Sequence, residues 1–214
     1  MAKQLQQYRT DLEQLLSTVG LSGFFSDTVK NSFINMGGKR VYNFTAWVWL
    51  QHALKTTTEE NWEWYDQPTQ FKRGSIYRIT VADEEGIEQE HDIRPRNEYE
   101  DIKKGGGDSK VATLLDDQYF IYPIPTVEGR EISVFGQKKW TELTNDTDET
   151  ISPEEIDESI VRMAFAFALQ KERRFSEAQN QIQDVEENML PRLKSNDEKE
   201  APKGYMGQQK STRW

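Results

Sequence analysis

The spacing of apolar residues changes twice along this chain of 214 residues, and those two changes constrain the fold more than any single motif. Leu5, Tyr8, Leu12, Leu15 and Val19 recur at intervals of three and four, one stripe of a helix that stops at Gly20. Ser26 or Asp27 is placed to cap a second helix through Val29, Phe33 and Met36, which Gly37 and Gly38 are expected to interrupt. A third helix is expected to resume near Lys39 and carry Val41, Phe44, Trp47, Val48, Leu50 and Leu54, an apolar face wide enough to need cover on more than one side.

From Asn61 the period falls to two. Trp62, Trp64 and Tyr65 precede Pro68, and in the following SIYRITV run Tyr77, Ile79 and Val81 share one face while Ile76, Arg78 and Thr80 share the other. Turn residues at 83–86 lead to a returning strand in which Ile87, Gln89, His91 and Ile93 oppose Glu88, Glu90 and Asp92. One or two helical turns are expected at 95–104, and further strands at 118–124 and 130–140, giving a small antiparallel sheet.

After a polar linker at 145–150 the helical spacing returns. Ser152, Pro153, Glu154 and Glu155 read as cap, first-turn proline and capping-box acid, ahead of a helix through Ile156, Ile160, Met163, Phe165, Phe167 and Leu169. A second stripe at Phe175, Ala178, Ile182, Val185, Met189 and Leu193, with Ser176 and Gln179 as a cap, fits either a helical hairpin broken near Arg173 or one long bent helix. Pro191 is expected to end or kink it.

The fold class that follows is α+β: a mostly α-helical bundle with a small antiparallel β-sheet inserted between N- and C-terminal helices, and an extended C-terminal arm. The expected divisions are N-terminal helices at 1–60, the inserted β region at 61–145, the C-terminal helical pair at 146–195 and the arm at 196–214.

Composition matters most in that arm. Pro202, Gly204 and Gly207 punctuate it, and its large apolar groups stand too far apart to pack on one another. Lys203, Lys210 and Arg213 give the last twelve residues a charge of +3, whereas the whole chain is −10, so residues 1–202 carry −13. Burying one Trp or Tyr removes about 150–250 Å² from water and yields roughly 4–6 kcal/mol gross. Ordering each backbone residue costs about 1–2 kcal/mol, so a few anchors cannot order such a segment unaided. Lys203, Tyr205, Met206, Lys210, Arg213 and Trp214 are therefore the candidate partner-binding residues, on an arm expected to gain order against a companion molecule.

The materials for catalysis are scarce. No cysteine is present, which excludes disulfides, thiolate nucleophiles and Cys-ligated metals. Of two histidines, His52 lacks a carboxylate at helical spacing, and His91 is flanked by Glu90 and Asp92, which a strand sends to the opposite face. The KKGGGDSKVA stretch lacks the glycine spacing and Gly-Lys-Ser/Thr ending of a phosphate loop and reads as a flexible loop. Asp116 and Asp117 read as turn residues, and Glu154 and Glu155 as a helix start. No catalytic residue, metal site or cofactor is expected. The longest apolar run, 163–169, is far short of a bilayer span, and the N-terminus lacks a signal-peptide core, so a soluble protein without membrane contact is expected. The acidity opposes general nucleic-acid binding.

Four segments, GFFSDTVKNSFINMGGKRVYNFTAWVWLQHAL, WEWYDQPTQFKRGSIYRITV, DDQYFIYPIPTVEGREISVFG and ISPEEIDESIVRMAFAFALQKERRFSEAQ, together resemble the head-to-tail adaptor, or connector, proteins of tailed bacteriophages. The resemblance covers most of the chain and lies in the order of features: N-terminal helices, a Trp-rich helix, a Pro-flanked strand and turn, then an Ala-rich helical pair. It implies a structural virion protein at the neck, in a ring of about twelve copies beneath the portal protein. C-terminal segments would dock on the portal, the sheet region would face tail or head-closure proteins, and double-stranded DNA would pass through the lumen without sequence-specific binding. Assembly would take place in the host cytoplasm. An acidic lumen would repel phosphates and let packaged DNA slide. The competing expectation is a soluble helical scaffold or chaperone-like binding module that forms no ring.

Overall fold

The computed structural model describes residues 3–200. In chain order the elements are α1 (Leu5–Thr18), α2 (Asp27–Tyr42), β1 (Gln51–Thr57), β2 (Trp64–Asp66), β3 (Arg78–Ala82), β4 (Glu88–Ile93), α3 (Arg96–Gly105), β5 (Val111–Leu115), β6 (Gln118–Tyr122), β7 (Glu131–Gln137), α4 (Glu154–Lys171), α5 (Phe175–Gln183) and α6 (Leu190–Glu200). A 3-10 turn at Val48–Leu50 precedes β1, and a π-helical turn at Asp184–Met189 joins α5 to α6. Two compact units result: a helical one from the described residues up to Trp49 and from Trp140 onward, and a sheet unit of Leu50–Lys139.

In the helical unit, α4 is the central element, packed by α1, α2 and α5. Its Ile160, Met163, Ala164, Ala166, Ala168 and Leu169 are all buried, which matches its nearly all-round apolar sequence. Small residues let helices approach closely. A Cβ on Gly37 would lie 2.7 Å from the Ile160 carbonyl oxygen, and one on Gly38 would lie 2.5 Å from the Trp140 indole. The glycine pair therefore serves packing, and α2 runs through it unbroken, correcting the expected interruption. Asn35 on α2 fastens the chain returning from the sheet: its Oδ1 accepts from Trp140 Nε1 and Leu143 N, both at 2.9 Å, and its Nδ2 donates to the Leu143 carbonyl.

The helix ends differ in detail from the reading of the sequence. Ser152 does not cap α4; its hydroxyl donates to Asp157 Oδ1 at 2.6 Å, inside a buried cluster completed by Tyr8 and Thr150. Ser176 lies within α5, whose cap position is Arg174. The break between α4 and α5 falls at Arg173, with φ of 59°, as a helical hairpin. At Pro191 the chain is not stopped. The π-helical turn immediately before it loosens the backbone where a proline ring would strike the carbonyl four residues back, and α6 continues to Glu200. Residues 196–200 are thus helical, not arm. Asp197 accepts the Val48 N–H at 2.6 Å, one anchor for this last helix.

The sheet unit overturns the expected fold class. The sheet has seven strands in the order β1-β7-β3-β4-β5-β6-β2, curled into a half-barrel, and it is mixed because β4 and β5 run parallel. Of the described residues 44% are helical and 21% extended, so the molecule is not a mostly helical bundle with a small antiparallel sheet. Three strands account for the difference: β1, the short β2 and β5. The expected third helix is instead the 3-10 turn followed by β1, seven residues paired antiparallel with β7. The glycine-rich loop contains the end of α3, capped by Gly106 in the left-handed conformation, and leads into β5. A parallel neighbour requires a crossover, and α3 supplies it between β4 and β5.

Register carries one apolar layer around the inner face. Leu54 opposes Val134, Val134 opposes Ile79, Ala112 opposes Ile121, and Leu114 and Tyr65 both oppose Tyr119. These residues, with Phe71, Ile76 and Ile132, form the core of the unit.

Candidate partner-binding site

The residues selected from the sequence for partner binding, Lys203, Tyr205, Met206, Lys210, Arg213 and Trp214, lie outside the described residues. The residues weighed for chemistry lie apart. His52 is on β1 opposite Gly136. His91 is on β4, 5% exposed, its Nδ1 donating to the Gln89 carbonyl at 3.2 Å, and burial pushes its pKa down, so a neutral imidazole belongs to the interior of the sheet. Asp116 and Asp117 form the turn between β5 and β6 beside Arg73. Among the described residues no group of three or more His, Asp or Glu could hold a metal ion. No helix there is long and apolar enough to cross a membrane.

The sheet unit carries a groove of about 570 Å³. Leu54, Lys55 and Thr56 of β1 form one wall, Trp62 and the residues of β2 form the other, and Tyr119 and Val134 contribute to the lining. The groove therefore lies between the two outermost strands of the half-barrel. Its aromatic wall is built by contact: Trp62 and Trp64 have ring centroids 4.8 Å apart, and Tyr65 stacks on Tyr119 at 5.5 Å. Trp62 is 39% exposed.

Backbone direction follows from register. Hydrogen bonds at Leu50–Lys138 and Thr58–Arg130 bracket the β1–β7 pair, so even-numbered residues of β1 bond to β7. The N–H and C=O groups of Gln51, Ala53, Lys55 and Thr57 face the open edge. On β2 the bonds Gln67 N to Asp117 O and Ile121 N to Glu63 O put the odd-numbered residues against β6, which turns the main-chain groups of Trp64 and Asp66 outward.

Two polar features complete the groove. Glu59 and Asp66 place carboxylates on its wall against the single ammonium of Lys55, and Lys55 is already paired with Glu131 at 2.7 Å. Tyr119, only 1% exposed, has a buried hydroxyl that meets no hydrogen-bond partner among the described residues. A buried polar atom left unsatisfied costs about 1–3 kcal/mol. Sequence reasoning noted the Trp-rich segment but missed this site, because β1 read as helix and the groove exists only once β1 is an edge strand.

The rim of the groove is held by a buttress. The Glu63 carboxylate accepts from the Tyr99 hydroxyl at 2.9 Å and from Lys103 Nζ at 2.6 Å, tying α3 to the residue just before β2. Burial pushes the Tyr99 pKa upward, with the Glu63 hydrogen bond adding to it, so the phenol stays protonated as the donor.

On the helical unit Phe24 before α2 and Phe175 at the start of α5 stand furthest into solvent among the large apolar side chains described, 62% and 64% exposed.

A family model described as SU10 adaptor protein matches residues 4–204. No curated protein matches the chain.

Proposed function

The chain belongs to the SU10 adaptor protein family, and from that membership we propose that it is the structural ring component linking the DNA-filled head of a tailed phage to its tail or head-closure proteins. The single observation that carries this reading is the family match over nearly the whole chain. The proposed assembly is a closed ring of about twelve copies seated on the portal protein at the neck of the virion. Double-stranded DNA passes through the lumen without base-specific contact. The formal charge of −13 over residues 1–202 supports a wall that repels phosphate. The reading assigns no catalytic step. The role is mechanical, and Lys203, Tyr205, Met206, Lys210, Arg213 and Trp214 serve it as partner-binding residues. Exposed Phe24, Phe175 and Trp62 are surfaces of the kind that subunit packing covers.

Native mass spectrometry of the chain with and without the portal protein tests this. A ring near twelve copies, alone or formed on the portal, is the expected result, with the ring located at the neck by imaging of assembled particles. A monomer that stays monomeric and ignores the portal would instead favour the scaffold or chaperone-like alternative.

A further inference from the structure

We infer that the groove between β1 and β2 is a strand-acceptor site, filled by residues 201–214 of a second copy of this chain. The inference rests on the multi-copy adaptor reading and deepens it by naming one partner of the C-terminal segment.

Three observations on the sheet unit converge. The half-barrel is open between two edge strands, and both walls of one groove come from those edges. Main-chain donors and acceptors of Ala53, Lys55 and Thr57 point to that open side, the arrangement that an added strand completes. Trp62, 39% exposed on the aromatic wall of the groove, offers apolar surface for an added strand to cover. The long, unobstructed edge of β1 also bears only one lysine as protection, and that lysine is engaged by Glu131.

The occupant is identified by complementarity. Residues 201–214, APKGYMGQQKSTRW, carry three cations and no acid, against a groove lined by the acidic Glu59 and Asp66 and by one cation, Lys55, that is paired with Glu131. Tyr205, Met206 and Trp214 supply apolar groups for the Trp62 and Trp64 wall. Extended, fourteen residues span about 46 Å at roughly 3.3 Å each, about twice the length of the seven-residue β1. A contact within one copy would add nothing to assembly, whereas contacts between copies reinforce one another around a closed ring.

The absence of native cysteine makes the test direct. One full-length preparation carries Thr56→Cys in the groove and another carries Gly204→Cys in the C-terminal segment. They are mixed, allowed to oligomerise and oxidised, while native mass spectrometry records the assembly state in parallel. The expected product is a disulfide-linked pair of chains. A control chain with Ile87→Cys, on the exposed turn between β3 and β4, should link much less. Adding Lys55→Pro to the groove chain removes an N–H that faces the open edge and spares the β7 ladder, and should lower the linked fraction about tenfold. Trp62→Ser, which leaves the backbone untouched, should lower it as well, so the conclusion does not depend on one variant folding. The inference is overturned if a chain made with both Thr56→Cys and Gly204→Cys links only within itself, if the Ile87→Cys control links equally, or if no link forms between the two single-cysteine chains. A ring that forms without the link sinks the strand-acceptor site and leaves the adaptor reading standing, whereas failure of both ring and portal binding sinks that reading too. Linking of the groove cysteine to a portal protein in place of Gly204→Cys would assign the site to a different donor and likewise overturn the inference.

Discussion

At Gly37 a methyl group would stand 2.7 Å from the Ile160 oxygen and 3.0 Å from the Ala164 nitrogen, both main-chain atoms that cannot rotate aside. Helix propensity alone would make Gly37→Ala stabilising by about 1 kcal/mol. Overpacking against α4 should win, and the variant is expected to be destabilised by about 1–3 kcal/mol, read as a lower thermal midpoint by calorimetry. Two carboxyls give the helical unit opposing responses to acid. The Lys30 ammonium beside Glu13, helped by the Gly23 N–H and the Ser22 hydroxyl, holds its pKa down to about 2. Its contribution is full above the unfolded value of 4.5 and is lost as the pH falls through about 2, so Glu13→Gln should cost stability at neutral pH and make no difference in strong acid. Asp157, 2% exposed, is raised above 3.8, chiefly by burial. Ionising it costs the folded state, a penalty absent below 3.8 that grows as pH rises through its folded pKa. The stability of Asp157→Asn relative to the parent should therefore shift in the variant's favour as pH rises, in denaturation curves collected between acid and neutral conditions.

Among the elements, α3 depends on one carboxylate. Glu63→Ala leaves Lys103 without its anion, while the Tyr99 hydroxyl keeps only the Ile121 carbonyl at 3.1 Å. A loss of about 1–3 kcal/mol is expected, with amide exchange accelerated across Arg96–Gly105 before the rest of the sheet unit. The legible elements were those whose buried residues all face one core. The spacing from Ile156 to Leu169 found α4, and the alternation around Ile79 and His91 found β3 and β4. β1 was misread because Trp47, Leu50 and Leu54 have helical spacing for an unrelated reason. Trp47 is buried in the helical unit, with its Nε1 on the Val41 carbonyl, and Leu54 packs inside the sheet, so two cores imitate one stripe. β5 was hidden because the five residues VATLL after the glycine-rich loop are too few to show a period, and its parallel partner is set by a crossover that spacing cannot reveal. The groove was illegible for the same reason as β1, and the Tyr119 hydroxyl shows as unsatisfied only in three dimensions.

For the molecule as a whole, the C-terminal segment is expected to matter to assembly and not to the fold. Deleting residues 202–214 should leave the thermal transition nearly unchanged and weaken association with the ring or the portal, with Trp214→Ala giving a smaller effect of the same sign in the same binding measurement. A large fall in the melting temperature would show instead that the segment completes a core. The way the sheet unit begins and ends has its own consequence. Its first and last residues are neighbours, with Lys138 donating to the Leu50 carbonyl at 2.9 Å, so the chain leaves the helices and rejoins them through one zipped stem. Such a stem lets ninety residues be lengthened, trimmed or exchanged with little demand on the helical scaffold, because the loop that any replacement must close is already short. Lineages could therefore re-tool the sheet module to suit a new neighbour while the helices kept their own packing.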